Sequence, residues 1–293
     1  MSAEATKYGI LVAVDGSEES DAAVKWATGE ATLHRAPLTL LHVVAPIVVG
    51  WPVGQLYKDM PDWQQDIADS VVAHARKTAL DSSEGSERPE VRTEIAYANA
   101  VSTLIEASKQ AQLVVVGSQG IGALGRLLLG SVSSALVQHA HCPVAVIRSG
   151  EDAEPDAGKA VVVGIDGSPA SEAATALAFN EASRRGADLI ALHAWSDVGV
   201  FPLLGMDPQD RENLGQEVLA ERLAGWQEQY PDVHVERSLV CDTPAKWLLE
   251  ASERAQLVVV GSRGRGGFPG MLLGSVSSAV VHSAKVPVIV VRS

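Results

Sequence analysis

The sequence predicts an α/β chain of two tandem domains, each a five-stranded parallel sheet of order 3-2-1-4-5 with helices on both faces. Three observations carry this reading. The stretch 111–149, AQLVVVGSQGIGALGRLLLGSVSSALVQHAHCPVAVIRS, is written again over 255–293 with 25 of 39 aligned positions identical. The two halves also open alike, with KYGILVAVDGS and KAVVVGIDGS. Within each half, short runs rich in Val, Ile and Leu alternate with longer helical patterns, which is the signature of parallel strands joined by helical crossovers. A chain of 293 residues accommodates two such units of ordinary size. The expected division is domain 1 over 1–149, a linker over 150–158 and domain 2 over 159–293.

In the first half the strand-like runs are Ile10 to Val14, Leu38 to Val44, Val91 to Tyr97, Leu113 to Val116 and Val144 to Ile147. Their apolar character is continuous enough to predict burial on both faces. In the first helix, Ala22, Ala23, Trp26, Ala27 and Ala31 form an apolar stripe that the copy keeps as Ala173, Ala174, Leu177, Ala178 and Ala182. Ser17 is the expected N-cap, followed by Glu18 and Glu19, and in the copy Ser168 precedes Pro169, a residue suited to the first helical position. The two aspartates Asp15 and Asp166 are 151 residues apart, whereas Gly117 and Gly261 are 144 apart. Seven residues are therefore missing from the second half, and the segment Pro46 to Asp62, rich in Pro and Gly, is the expected loop in which they fall. The linker GEDAEPDAG is acidic and lacks apolar periodicity.

Composition narrows the function classes. The 23 basic against 36 acidic residues and the net charge of -13 argue against a nucleic-acid duplex or a membrane surface as the main partner. An anion must be held by a local site. Cys142 and Cys241 stand in different halves at non-equivalent positions without a CxxC neighbour, and two buried or half-buried reduced thiols are expected. The N-terminal run is short and lacks a cleavage pattern, and no run approaches a membrane-spanning length, so cytoplasmic residence without membrane insertion is expected.

The repeated segment has the chemistry of a phosphate cradle. Gly117-x-x-Gly120, nine residues and Gly130-Ser131 recur as Gly261-x-x-Gly264, nine residues and Gly274-Ser275. A loop that wraps phosphate brings backbone N–H groups close to the anion, and a Cβ at the contact points obstructs that approach. The Ser-Val-Ser-Ser segment then opens a helix whose first N–H groups and dipole address negative charge. The expected contacts are Gly117, Ser118, Gln119, Gly120, Ile121, Gly122 and Ala123, then Gly130, Ser131, Val132 and Ser133. Their counterparts are Gly261, Ser262, Arg263, Gly264, Arg265, Gly266 and Gly267, then Gly274, Ser275, Val276 and Ser277. In a 3-2-1-4-5 sheet, Asp15 closes strand one and Gly117 closes strand four, so both motifs converge on the point where the winding reverses. Two nucleotide sites follow, one per domain.

The same residues allow other readings. Gly120-Ile-Gly122-Ala-Leu-Gly125 spells GxGxxG but follows the fourth strand, and the copy puts Pro269 at the last glycine, which argues against a dinucleotide fingerprint. Gly125-x-x-x-x-Gly130-Ser131 lacks the lysine of a phosphoryl-transfer loop. Asp15 and Asp166 either accept hydrogen bonds from adenine or ribose, or face Mg2+, or simply make the Asp-Gly-Ser turn. His42 and His193 match between halves inside strand two and are read as satisfied core histidines. Arg263 and Arg265 replace Gln119 and Ile121, and predict a tighter, more salt-sensitive phosphate grip in the second copy unless they are solvated surface residues.

With VDGS and IDGS at the ends of their first strands and Gly-x2-Gly-x9-Gly-Ser in both halves, the chain resembles the universal stress protein family in its tandem-domain, ATP-binding form. The resemblance implies a Rossmann-like (adenine nucleotide α-hydrolase-like) fold and ATP as ligand, with Mg2+ as a possible companion. It implies that Asp15 and Asp166 contact the adenosine part, that Val44 and Trp195, closing strand two, lie near the base, and that the glycine loops with Ser131 and Ser275 hold ribose and phosphates. Ala13 and Gly164 belong to the same pocket, and Trp195 departs from the small aliphatic residue usual there.

The expected function is an ATP-binding regulator of the stress response that acts through an unnamed protein partner. The alternative is a slow Mg2+-dependent ATPase or nucleotidyl-transfer enzyme. Pairing through the fifth strands, between the halves as a pseudo-dimer or between chains as a homodimer, is also implied, and Pro143-Val-Ala-Val-Ile and Pro287-Val-Ile-Val-Val read as apolar edge strands that need a cover. Light scattering at several concentrations tests the homodimer, which a strictly monomeric mass at all of them excludes.

Overall fold

The apolar runs become strands in register with one another. In the first half these are β1 (Gly9–Val14), β2 (Leu38–Val44), β3 (Val91–Tyr97), β4 (Ala111–Gly117) and β5 (Val144–Ile147), joined by α1 (Glu18–His34), α2 (Met60–Asp81), α3 (Ala100–Ser108) and α4 (Ser131–His139). The second half repeats the series as β6 (Ala160–Gly164), α5 (Pro169–Arg185), β7 (Leu189–Trp195), α6 (Pro208–Gln229), β8 (Val235–Cys241), α7 (Pro244–Ser252), β9 (Ala255–Gly261), α8 (Ser275–Ser283) and β10 (Val288–Val291). The computed structural model of the chain describes residues 6–45, 60–83, 88–121, 129–150, 158–195, 208–241, 243–265 and 272–292. The chain divides into two units, Met1–Ser149 and Gly150–Ser293.

All pairings within each unit are parallel. In the first, β1 lies between β2 and β4, β2 carries β3 and β4 carries β5, giving the order 3-2-1-4-5. In the second, β6 lies between β7 and β9, with β8 and β10 outside them. Parallel pairing requires crossovers, and the helices supply them, α1 packing chiefly on β1 and β4 and α5 on β6 and β9. Ala23, Trp26, Ala27 and Ala31 of the α1 stripe are buried, and so are Ala174, Ala178 and Ala182 of α5. In α5 the large anchor is Phe179, which is fully buried and stacks on Trp226 and Tyr230 at 6.2 and 5.8 Å. The caps form as the sequence directs: Ser17 accepts from the Ser20 N–H, and Ser168 from the Ser171 N–H with Pro169 following.

Three sequence expectations need correction. β3 is not buried on both faces, and neither is its copy β8: each has half-buried and exposed positions and none that is buried, with Arg92 and Thr93 exposed. The loop expected over Pro46 to Asp62 ends earlier, since α2 begins at Met60; residues 46–59 lie outside the described residues. The seven missing residues also divide between two connections. Fifteen residues separate β2 from α2 and 12 separate β7 from α6, whereas nine separate α2 from β3 and five separate α6 from β8. The two helices keep the same length of 22 residues, because their packing face tolerates no deletion whereas the connections on either side do.

Gly117 closes β4 at a point of close helix–strand approach. A Cβ built there would stand 2.7 Å from Glu19 Cβ and 2.8 Å from the Glu19 carbonyl carbon, and one at Gly261 would stand 2.8 Å from the Ala170 carbonyl carbon. The absent side chain thus points into the helix. Gly117→Ala is therefore expected to push α1 off the sheet and destabilise the protein by about 1–3 kcal/mol, which urea denaturation measures; unchanged stability would show that the helix yields freely. The cysteines differ as well. Cys142 is buried, with its thiol pushed up to about 12 chiefly by burial, whereas Cys241 is exposed. A thiol reagent at pH 8 is expected to label one cysteine in the native protein, Cys241, and both after denaturation. Because the native Cys142 pKa lies above the unfolded value of 9.0, its contribution to stability is present below pH 9 and lost as pH rises from there toward 12.

Candidate functional site

The ends of β1 and β4 meet through one carboxylate. Asp15 follows β1, and its Oδ1 accepts from the Ser17 N–H at 3.0 Å and the Ser17 hydroxyl at 2.7 Å. These bonds make the local turn. Its Oδ2 accepts from the Ile121 N–H at 3.2 Å, across 106 residues of sequence, and so ties the turn to the glycine loop. Asp15 thus serves both as turn former and as a wall of the crevice. Gly120 exists for the same contact, since a Cβ there would stand 2.4 Å from Asp15 Oδ2.

The mouth of the loop is closed by backbone hydrogen bonds. The Ser118 N–H donates to the Ile147 carbonyl at 2.6 Å, and the Ser118 carbonyl accepts from the Gly130 N–H at 2.8 Å. Ser118 is buried and its backbone groups are engaged, so it fixes where the loop starts and ends. Ser133 is buried too, and its hydroxyl donates to the Gly117 carbonyl at 2.6 Å, which makes it a brace between α4 and β4. Gly130 is the N-cap of α4 and offers no side chain, so the Ser131, Val132 and Ser133 N–H groups have no intrahelical acceptor. Ser131 itself is exposed.

Between these parts lies a cleft of ≈ 620 Å³. Ala13, Asp15, Gly117, Gln119, Gly120, Ile121, Gly130, Ser131, Val132 and Ser133 all line it. Val44 does not: its neighbour Val43 lines the cleft, and the Val44 carbonyl accepts from the Ala98 N–H at 3.1 Å. Successive strand residues face opposite sides, so a cleft that takes Leu41 and Val43 leaves Val44 on the other face. Leu41, Val43, Ala100 and Leu104 form an apolar wall that the motif reading missed. The period-two alternation of β2 was the available signal for the first two.

The second unit repeats this geometry with other side chains. Asp166 Oδ1 accepts from the Ser168 N–H at 2.9 Å and Oδ2 from the Arg265 N–H at 3.2 Å, and a Cβ at Gly264 would stand 2.3 Å from Oδ2. The Ser262 N–H donates to the Val291 carbonyl at 2.7 Å, the Gly274 N–H to the Ser262 carbonyl at 2.7 Å, and the Ser277 hydroxyl to the Gly261 carbonyl at 2.5 Å. Gly274 is an N-cap without a side-chain bond, followed by Ser275 and Val276. Gly164 leaves room for Leu248, the counterpart of Leu104, at 3.2 Å from where its Cβ would be. Charge is where the units part. Burial pushes the Arg148 guanidinium below its ordinary value while nearby Glu19 supports its charge. Arg292, its counterpart, is pushed down by burial and further by Arg263.

Four expected contacts, Gly122, Ala123, Gly266 and Gly267, lie outside the described residues, as does the side chain of Trp195. His42 and His193 are half-buried, with Nδ1 at 2.7 Å from the Val14 carbonyl and 2.6 Å from the Ile165 carbonyl. A carbonyl only accepts, so Nδ1 carries the proton and each ring steadies the backbone just before the aspartate. Among the described residues no helix is long and apolar enough to cross a membrane.

A model of the universal stress protein family matches residues 9–148 and again 158–292. A universal stress protein of Mycolicibacterium smegmatis is 55% identical over 288 residues, covering 98% of both chains. Universal stress protein Rv2005c of Mycobacterium tuberculosis is 53% identical over 293 residues, covering 100% of this chain and 99% of its own. A crystal structure of a universal stress protein from Archaeoglobus fulgidus shares the fold with a TM-score of 0.71 at 21% identity, covering 97% of this chain and 98% of that one. Two family matches in tandem and full-length relatives above half identity place the chain in the universal stress protein family.

Proposed function

We propose that each unit binds an adenine nucleotide, ATP in the first instance, and that occupancy regulates the protein's part in the stress response rather than feeding a catalytic cycle. The observation that carries this reading is the Asp15 clasp: a carboxylate ties the start of the glycine loop to the end of β1, beside a cleft lined both by apolar side chains and by the uncapped start of α4. A base suits Leu41, Val43 and Leu104, and phosphates suit the loop and the start of α4. A volume of ≈ 620 Å³ lies in the range of small-molecule sites. The repeated clasp at Asp166 supports a second site.

Regulation is favoured over catalysis because Asp15 is the one ionisable side chain among the described lining residues, and its oxygens already accept three hydrogen bonds. Magnesium prefers six oxygen ligands and is usually held by one or two carboxylates together with substrate phosphates. Asp15 alone offers it little, so any Mg2+ would be held mainly by the nucleotide's phosphates.

Denaturing the purified protein and separating the released small molecules is expected to yield ATP, with turnover of added Mg2+-ATP no faster over hours than in buffer. Turnover above that rate favours the slow-ATPase alternative. Ser131→Glu together with Ser275→Glu places negative charge at two helix starts, where the helix dipole welcomes it but a phosphate does not. This double variant is expected to keep its thermal midpoint and lose nucleotide by about a hundredfold in affinity; retention of nucleotide by the folded variant excludes the site.

A further inference from the structure

We infer that Arg222 and Arg265 form a two-guanidinium clamp, in the second unit alone, for the outer phosphates of a polyphosphate ligand. The first unit is left to take a less highly charged one. The inference rests on the nucleotide reading for the ligand's adenosine part, and on independent geometry for its charge.

Arg265 belongs to the glycine loop, and its N–H is held by Asp166 at the rim of the crevice. Arg222 comes from α6. Their side chains converge on the turn after β6: a Cβ at Gly167 would stand 2.3 Å from Arg265 Nη2 and 2.4 Å from Arg222 Nη1. Gly167, at φ 74, is the residue that leaves this place open. Two cations therefore sit within reach of one small anion. Glu172 takes only part of the charge, pairing with Arg222 Nη1 at 2.6 Å. Arg222 Nε is buried and has no hydrogen-bond partner among the described residues. A buried charged donor without an acceptor is costly, and a phosphate oxygen is the acceptor that suits both groups. Among the described residues neither guanidinium pairs with Asp166, whose oxygens accept from the backbone N–H groups of Ser168 and Arg265. Arg263, exposed on the same loop, adds a third positive charge.

Among the described residues, the first unit shows no such pair of arginines. Its α2 is as long as α6, and His74 occupies the place of Arg222, bonded to Asp21 at 2.9 Å just as Arg222 is bonded to Glu172. Over Gly16 the nearest atom is Val71 Cγ2, at 3.4 Å from a built Cβ. Ile121 and Gln119 replace Arg265 and Arg263. The backbone cradle is the same in both units, and among the described residues three arginines of the second, Arg222, Arg263 and Arg265, stand where the first has His74, Gln119 and Ile121, which directs the two clefts to ligands of different charge.

Calorimetric titration of the full chain with inorganic tripolyphosphate, ATP and AMP tests this. One strong tripolyphosphate site per chain is expected, weakened about tenfold by Arg265→Gln, with a shallower salt dependence. Arg222→Lys keeps the charge toward Glu172 but loses the fork, and is expected to weaken tripolyphosphate severalfold while AMP binding stays unchanged. Because a change at Arg222 disturbs its ion pair with Glu172, the reverse change guards against a mere loss of fold: His74→Arg with Ile121→Arg is expected to create a second strong tripolyphosphate site. Two equal ATP sites insensitive to these arginines would overturn the clamp while leaving the nucleotide reading intact. Arginine-dependent tripolyphosphate binding without any gain from adenosine would do the opposite, keeping the clamp and removing the nucleotide. Failure of tripolyphosphate to bind the wild-type chain overturns the clamp outright.

Discussion

The bond from a carboxylate at the end of the first strand of each unit to a backbone N–H in the loop after the fourth organises the rest of the crevice. Asp15 reaches the Ile121 N–H and Asp166 the Arg265 N–H, both at 3.2 Å. A charged acceptor on an amide donor is stronger than a neutral pair, and here it spans two segments that only the sheet brings together. The requirement propagates outward. Gly120 and Gly264 leave space for the carboxylate, Ser118 and Ser262 hold the loop ends to the neighbouring strand, and Ser133 and Ser277 brace the following helix against β4 and β9.

The glycines of the repeated motif consequently do different jobs, although they look alike as letters. Gly117 and Gly261 lie where a helix backbone approaches the strand too closely for a side chain. Gly120 and Gly264 make room for a carboxylate, whereas Gly130 and Gly274 leave a helix start uncapped. Only the last pair stands beside backbone N–H groups that lack an intrahelical acceptor. A substitution at the first pair perturbs the core first, so at these positions the spacing of the motif reflects folding.

The two units show how one backbone plan carries two electrostatic settings. The cradle consists of main-chain groups and small residues, and it barely differs between copies. Charge enters through side chains on its margin: the glycine loop, the residue after the last strand and the fourth turn of the second helix. At this last place, His74 in one unit and Arg222 in the other make the same kind of bond to an acidic partner on the preceding helix. Yet only the longer, branched guanidinium also reaches over the glycine of the turn, where it meets Arg265 at Gly167. Duplication preserved the packing, and divergence acted on residues that packing does not constrain.

Much of this was legible in the letters. Apolar runs bounded by turn residues marked the strands to within two residues, because burial in a parallel sheet demands them, and the repeat fixed the number of units. Asp15 and the glycine loop were assigned to one crevice from strand order alone. What the letters left open was direction and distance. That Val43 rather than Val44 faces the cleft depends on pleat. That Ser133 braces β4 rather than facing a ligand depends on which way a hydroxyl points from a helix. Arg222 lies 43 residues before Arg265 and in no motif, so nothing local announces that their guanidiniums meet over Gly167. The sequence by itself determined the repeated α/β plan and the place of the crevice, since these follow from periodicity and spacing. Tertiary structure decided which side chains enter it, because that depends on packing between segments far apart in the chain.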